Sequence, residues 1–185
     1  MLVSYVQQHS ILNTKRRKNY VSKNRRFSKL WAYEAEQTAK LFDNLTDESL
    51  AQKTTENGRS LGFLAWHIVL TLGEMLEKVG LTVDCPAEET EPPASAKEIA
   101  ETYKKAAQSV GEEITKNWSD ETLEIEDEMY GMTWTRGTTL NMLINHQAHH
   151  RGQVTVLMRQ AGVPIVGVYG PAKEEWAAMG MAALQ

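Results

Sequence analysis

"TTLNMLINHQAHHRGQVTVLMRQAG", Thr138 to Gly162, decides how the rest of the chain is read. Leu143, His146, His150, Val154 and Leu157 recur at steps of three and four. At about 100° per residue they fall within roughly an 80° arc of one helix face. A helix is expected, with Thr138 or Thr139 as N-cap and an end at Ala161-Gly162 before Pro164. The apolar stripe of that helix carries two of the chain's five histidines. His149, about 100° from His150, falls at the stripe's edge, where it packs at the border or hydrogen-bonds a neighbouring ligand.

Outward from this helix, three more follow the same period. The first runs from Phe27 or Ser28 to Leu45, through Leu30/Trp31, Glu34, Thr38 and Leu41/Phe42. Asp47 is a candidate N-cap for a short helical turn behind it. The second starts near Ser60, carries Leu61, Leu64, Ile68, Leu72, Met75 and Val79, and stops at Gly80 in the C′ position. Phe63, Trp66, Val69 and Leu70 make it apolar on other sides too, so it is expected to be deeply buried or to pair with a second copy. A linker, "CPAEETEPPASAKE", ends in the capping box Ser95-Ala-Lys-Glu98. The third helix has Ile99, Tyr103, Ala106/Ala107, Val110, Ile114 and Trp118 at helical spacing. Residues 119–137 are irregular, with Leu123 and Ile125 alternating against glutamates as in a short strand. Pro171 suits the first position of a short C-terminal helix to about Met179. Four helices with one short and two longer connections predict an all-α four-helix bundle.

Composition narrows the function classes. At 185 residues the chain has the size of one domain, and no apolar run approaches the roughly 20 residues of a membrane span. Of 20 Lys/Arg and 24 Asp/Glu, residues 1–26 hold seven bases and no acid, leaving 13 against 24 in residues 27–185. We therefore expect a basic, disordered N-terminal extension over 1–26 and the bundle domain over 27–185. The acidic body argues against nucleic acid as the main partner. A single cysteine, Cys85, excludes an internal disulfide framework and fits a reducing, cytoplasmic compartment. It also means that any metal chemistry rests on histidine and carboxylate.

Two imidazoles one turn apart in a core need partners, and each could take a hydroxyl or carbonyl, or both could share a cation. A further histidine, His67, flanks the apolar stripe of the second helix. Its presence on another buried helix favours a shared metal. Three neutral imidazoles would leave coordination positions for water or substrate, as in an open, reactive site. "HQAHH" has no glutamate after its first histidine, so the zincin general base is absent; Glu74 is the nearest candidate base by helix position. Arg151 and Gln153 could contact an anionic substrate or support the ligands, although pairing of Arg151 with a glutamate on a neighbouring helix is the simpler reading. Trp66, Tyr130 and Trp134 could line a pocket, but aromatics at such spacings more often fill a core.

The segments "LGFLAWHIV", "GMTWTRGTTLNMLINHQAHHRGQVTVLMRQAGV" and "VYGPAKEEW" resemble the DinB family, also called the DinB/YfiT-like superfamily of metalloenzymes. The similarity runs from about Phe27 to the C-terminus. It implies a four-helix bundle with up-down-down-up connection, usually homodimeric. It also implies a divalent metal, commonly nickel or zinc, on the positions of His67, His146 and His150. Family members with known activity use a low-molecular-weight thiol cosubstrate, transferring it to electrophiles or, in one relative, isomerising maleylpyruvate. A metal-dependent thiol S-transferase or hydrolase-like enzyme acting on a small molecule is thus expected. The alternatives are a metal-binding or stress-response bundle without turnover and a metal-free interaction protein. Cys85, in the linker, is read as incidental.

Overall fold

The computed structural model describes residues 23–182. Its helices are α1 (Lys23–Phe42), α2 (Leu61–Glu77), α3 (Ala96–Asn117) and α4 (Arg136–Gln160). Cross-helix contacts fix their directions. The start of α1 meets the end of α3, where the Asn24 amide donates to Asp120 at 2.9 Å, and the two run antiparallel, with Phe42 against Tyr103. α4 runs beside α1 in the same direction, since Phe27 and Leu30 share a wall with Leu140 and Ile144, and Thr38 reaches Gln147. α2 opposes α4, with Leu64 near Leu157 and Glu74 near Met142. The order is the up-down-down-up bundle.

Parallel neighbours need a connection that travels the length of the bundle, and residues 78–95 supply it. The segment doubles back along α2: the Cys85 thiol donates to the Val69 carbonyl at 3.3 Å and the Trp66 indole to the Thr90 carbonyl at 2.7 Å. This linker covers part of the outer apolar face of α2, burying Trp66 and Val69, while Leu70 is half-buried and Phe63 stays exposed.

Local signals set the helix ends. Ser60 and Ser95 accept from the Phe63 and Glu98 amides, each a cap of about 1 kcal/mol. At Gly80 (φ 79°), the Gly80 amide bonds to Glu77 and that of Leu81 to Leu76, the paired bonds of a Schellman stop. Gly162 (φ 73°) ends α4 the same way. Asp47 forms no side-chain cap on its own 3-10 turn, Glu48–Ala51; its carboxylate instead accepts the Ala96 amide at 2.7 Å and caps α3 across the bundle.

Several boundaries differ from the sequence expectation. α4 starts at Arg136, with Thr135 rather than Thr138 or Thr139 as N-cap, its hydroxyl accepting the Thr138 amide. α1 is already helical at Lys23, ahead of Phe27 or Ser28, with Asn24 on the α3 end, and it finishes at Phe42 because Asn44 and Leu45 wind into tighter turns. Of the expected basic extension, Lys23 to Arg26 are therefore helical, and residues 1–22 lie outside the described residues. The strand pair is a hairpin, β1 (Glu126–Met129) with β2 (Met132–Thr135), C-terminal to the Leu123/Ile125 alternation. Leu123 is buried in a 3-10 turn while Ile125 is exposed, so the two do not share a strand face. The expected C-terminal helix shortens to a 3-10 turn, Lys173–Glu175. Here the Glu175 carboxylate accepts the Gly167 and Ala172 amides and folds the segment back on itself.

Candidate metal centre

α2 and α4 face each other antiparallel, and where they meet they bring together His67, His146 and His150. The Nε2 atom of His146 lies 3.2 Å from that of His67 and 3.1 Å from that of His150. All three ligand atoms fall within 4.8 Å of one another. Nitrogens about 2.0–2.1 Å from one ion, at angles between roughly 90° and 109°, stand about 2.9–3.4 Å apart, so the two close contacts suit a common cation.

Protonation is consistent with that donor set. Burial, then the His150 and His67 charges, lowers the pKa of His146 to about 4. Burial is also the first cause of the lowered values of His67 and His150. At neutral pH all three rings are uncharged and can offer lone pairs. Gln153 directs one of them: its Oε1 lies 2.8 Å from His150 Nδ1, which accordingly carries the proton and leaves Nε2 free to ligate. The Gln153 amide nitrogen is 3.1 Å from His149 Nε2, so His149 steadies Gln153 from the exposed side and stands outside the cluster. His146 Nδ1 is buried and has no hydrogen-bond partner among the described residues.

Leu143, His150, Val154 and Leu157 are buried as the sequence stripe expects, but the buried face of α4 is wider than that stripe and also takes in Gln147, Arg151 and Met158. His150 is buried on it, whereas His146 is half-buried at its border and faces a cleft of about 600 Å³, within the usual range for small-molecule sites. His67, Glu74 and Trp66 share that cleft with Tyr130 and Trp134. The aromatics thus line a pocket, Tyr130 exposed, while Trp66 is at the same time buried in the core and Trp134 packs against it, so the simpler sequence reading holds in part. Tyr130 and Gly131 (φ 55° and 77°) form the two-residue hairpin turn, and the Tyr130 hydroxyl donates to Glu74 at 2.7 Å. Glu74, also paired with Lys78 at 3.2 Å, is engaged at the cleft wall.

Arg151 points away from this cleft. It is 2% exposed and ion-pairs with Glu34, 3% exposed, on α1; its Nη1 donates to the Glu34 carbonyl at 2.9 Å and to Thr38 at 3.1 Å. Tyr169 donates to the same carboxylate at 2.8 Å. Gln147 extends the network, accepting from Thr38 at 3.2 Å and from the fully buried Tyr103 at 2.8 Å. Arg151 is thus a packing element, whereas the roles of Gln147, Tyr103 and Tyr169 have no motif. The signal for Gln147 was its place one turn after Leu143 on the buried line. Burial pushes the Cys85 thiol up, which leaves it a poor nucleophile.

An antiparallel helix pair that brings three imidazoles together, His67 and His146 of them on the wall of an open cleft and His150 buried behind, defines a class, the histidine-cluster four-helix bundles with an open site. The profile of the DinB family matches residues 17–182, and the chain belongs to that family. It is 45% identical over 157 residues to YrdA of Bacillus subtilis (strain 168), described as an uncharacterized protein, covering 85% of this chain and 94% of that one. A DinB-like protein from Bacillus cereus ATCC 10987 is 42% identical with a TM-score of 0.75, over 77% of this chain and 95% of its own. The DinB-like protein YjoA of Bacillus subtilis, at 17% identity and a TM-score of 0.62, covers 80% and 99% and attests the fold. No helix among the described residues is long and apolar enough to cross a membrane.

Proposed function

We propose that the protein is a metal-dependent enzyme in which His67, His146 and His150 hold one divalent ion, nickel or zinc, and a small electrophile is attacked in the adjoining cleft. The grouping of three imidazole ligand atoms within 4.8 Å of one another, two of the rings on the cleft wall, carries this reading. A bound divalent ion lowers the pKa of a thiol or water, so that the nucleophile exists at neutral pH without a protein cysteine. The reaction class favoured is transfer of a low-molecular-weight thiol, with hydrolysis as its water counterpart.

The chain's own residues supply positioning. Gln153 fixes the tautomer of His150, Trp66 holds the linker as the cleft's outer wall, and Tyr130 keeps Glu74 oriented. Glu74 is bound by Tyr130 and Lys78, which favours an orienting role over free general-base work and supports a second reading, metal binding without turnover. A homodimer fits the apolar groove of about 750 Å³ between α1 and α3, away from the histidines, and light scattering at micromolar concentration tests it.

Metal analysis of untagged protein, with a bimane-type electrophile and physiological thiols as the assay, tests the main proposal. One equivalent of metal per chain and thiol-dependent acceleration are expected. Metal without acceleration by any thiol leaves the binding reading; no metal removes both.

A further inference from the structure

The cleft outside the imidazoles has a marked charge bias. Its lining includes four glutamates, Glu74, Glu88, Glu89 and Glu91, and no lysine or arginine. Only Glu74 of the four is ion-paired among the described residues; Glu88, Glu89 and Glu91 are exposed on the linker. Between these acids and the histidines lie aromatic faces. Trp134 meets Tyr130 edge-on, with centroids 5.8 Å apart, and Trp66 forms part of the wall. An ammonium group already uses this surface: Lys78 Nζ lies 5.6 Å from the Tyr130 ring centroid and 3.2 Å from the Glu74 carboxylate. Carboxylate plus aromatic face is the chemistry that recognises organic cations.

From this arrangement we infer that the cleft selects a small molecule bearing a protonated amine. One end meets the histidine centre, an apolar segment lies along Trp66 and Trp134, and the amine, at the level of Glu74, rests against the linker glutamates Glu88, Glu89 and Glu91, unpaired among the described residues. The inference deepens the metal-enzyme reading and rests on it. Helix geometry sets the length of the ligand, since seven residues separate His67 from Glu74 on α2, about 10 Å along the axis. Anionic molecules of the same length would meet the exposed linker carboxylates, Glu88, Glu89 and Glu91, and like charges repel.

The test uses the full chain loaded with cobalt(II) and three thiols on a common six-carbon chain: 6-aminohexane-1-thiol, 6-mercaptohexan-1-ol and 6-mercaptohexanoate. Thiolate-to-cobalt absorption reads binding without any turnover. The aminothiol is expected to bind at least about tenfold tighter than the carboxylate, with the alcohol between them, and the gap should narrow with added salt. In the triple variant Glu88→Gln, Glu89→Gln, Glu91→Gln, the aminothiol should fall to within about threefold of the alcohol, while alcohol binding stays put. These side chains are exposed, so the fold is retained. Equal or tighter binding of the carboxylate, or a preference that survives the triple substitution, overturns the inference alone. Failure to take up cobalt, or uptake that persists in His67→Ala and His146→Ala, overturns the metal reading and this inference with it.

Discussion

His150 and Arg151 are adjacent on α4 and open onto two polar regions built on opposite terms. On the α1 side, Arg151, Glu34, Thr38, Tyr169 and Gln147 share hydrogen bonds among themselves and hold three segments together. On the α2 side, three imidazoles turn their Nε2 atoms toward one point and are supported from behind, by Gln153 on His150. The first network closes largely on itself and belongs to the architecture, although Gln147 Nε2 and Arg151 Nε find no partner among the described residues; the second, whose acceptors converge on shared space, is arranged to receive something from outside. The difference predicts that damage to the first is read in stability and damage to the second in binding.

The largest effect should come from splitting the closed network. Arg151→Met leaves the Glu34 carboxylate buried without its cation, and a loss of about 3–5 kcal/mol is expected in urea unfolding. The double variant Glu34→Leu, Arg151→Met should recover most of that loss, because the unpaired charge is gone. Metal uptake by the folded fraction of either variant should stay near one per chain. Loss of metal in step with stability would show that the two regions are coupled.

Next in size is the response to metal itself. At a free-metal concentration of 100 times Kd, the folded state gains about 2.7 kcal/mol, seen as a rise in Tm. His67→Ala, His146→Ala and His150→Ala should each abolish that rise while leaving the metal-free Tm little changed. Acidity should separate the regions further. The cluster histidines have lowered pKa values in the folded protein, His146 to about 4, so between there and the ordinary 6.5 the unfolded chain binds more protons. Metal-free protein should therefore lose stability as pH falls through this window and show no further loss from His146 below about 4. His146→Ala should flatten the slope; an unchanged slope would place the titration elsewhere.

The two regions were unequally legible in the sequence. Periodicity and the capping residues Ser60, Ser95, Gly80 and Gly162 mark the four helices because each acts within a few residues of itself. His67, His146 and His150 were visible as a group through residue type and a known family pattern. What local reading missed was tertiary. The buried face of α4 extends past the expected stripe to Gln147 and Arg151, polar residues that a stripe drawn through apolar positions passes by. Trp66, Tyr130 and Trp134 became pocket walls because the linker and the hairpin bring them to one cleft, a placement that no spacing encodes.

The smallest effects should resolve the support behind the ligands. Gln153→Ala removes the acceptor that fixes His150, and a tenfold to hundredfold loss of metal affinity is expected, the usual range for such partners. His149→Ala acts one bond further out. It removes the contact that steadies the Gln153 amide and an edge-to-face ring contact with His150, and the side chain is exposed, where water can replace its hydrogen bond. A two- to threefold loss of affinity is expected, roughly 0.4–0.7 kcal/mol. In the Gln153→Ala background the same substitution should do less, because only the direct edge-to-face contact of His149 with the His150 ring, centroids 4.8 Å apart, is left. A large effect of His149→Ala in both backgrounds would mean that His149 reaches the metal directly, and that the cluster of α2 and α4 has a fourth member.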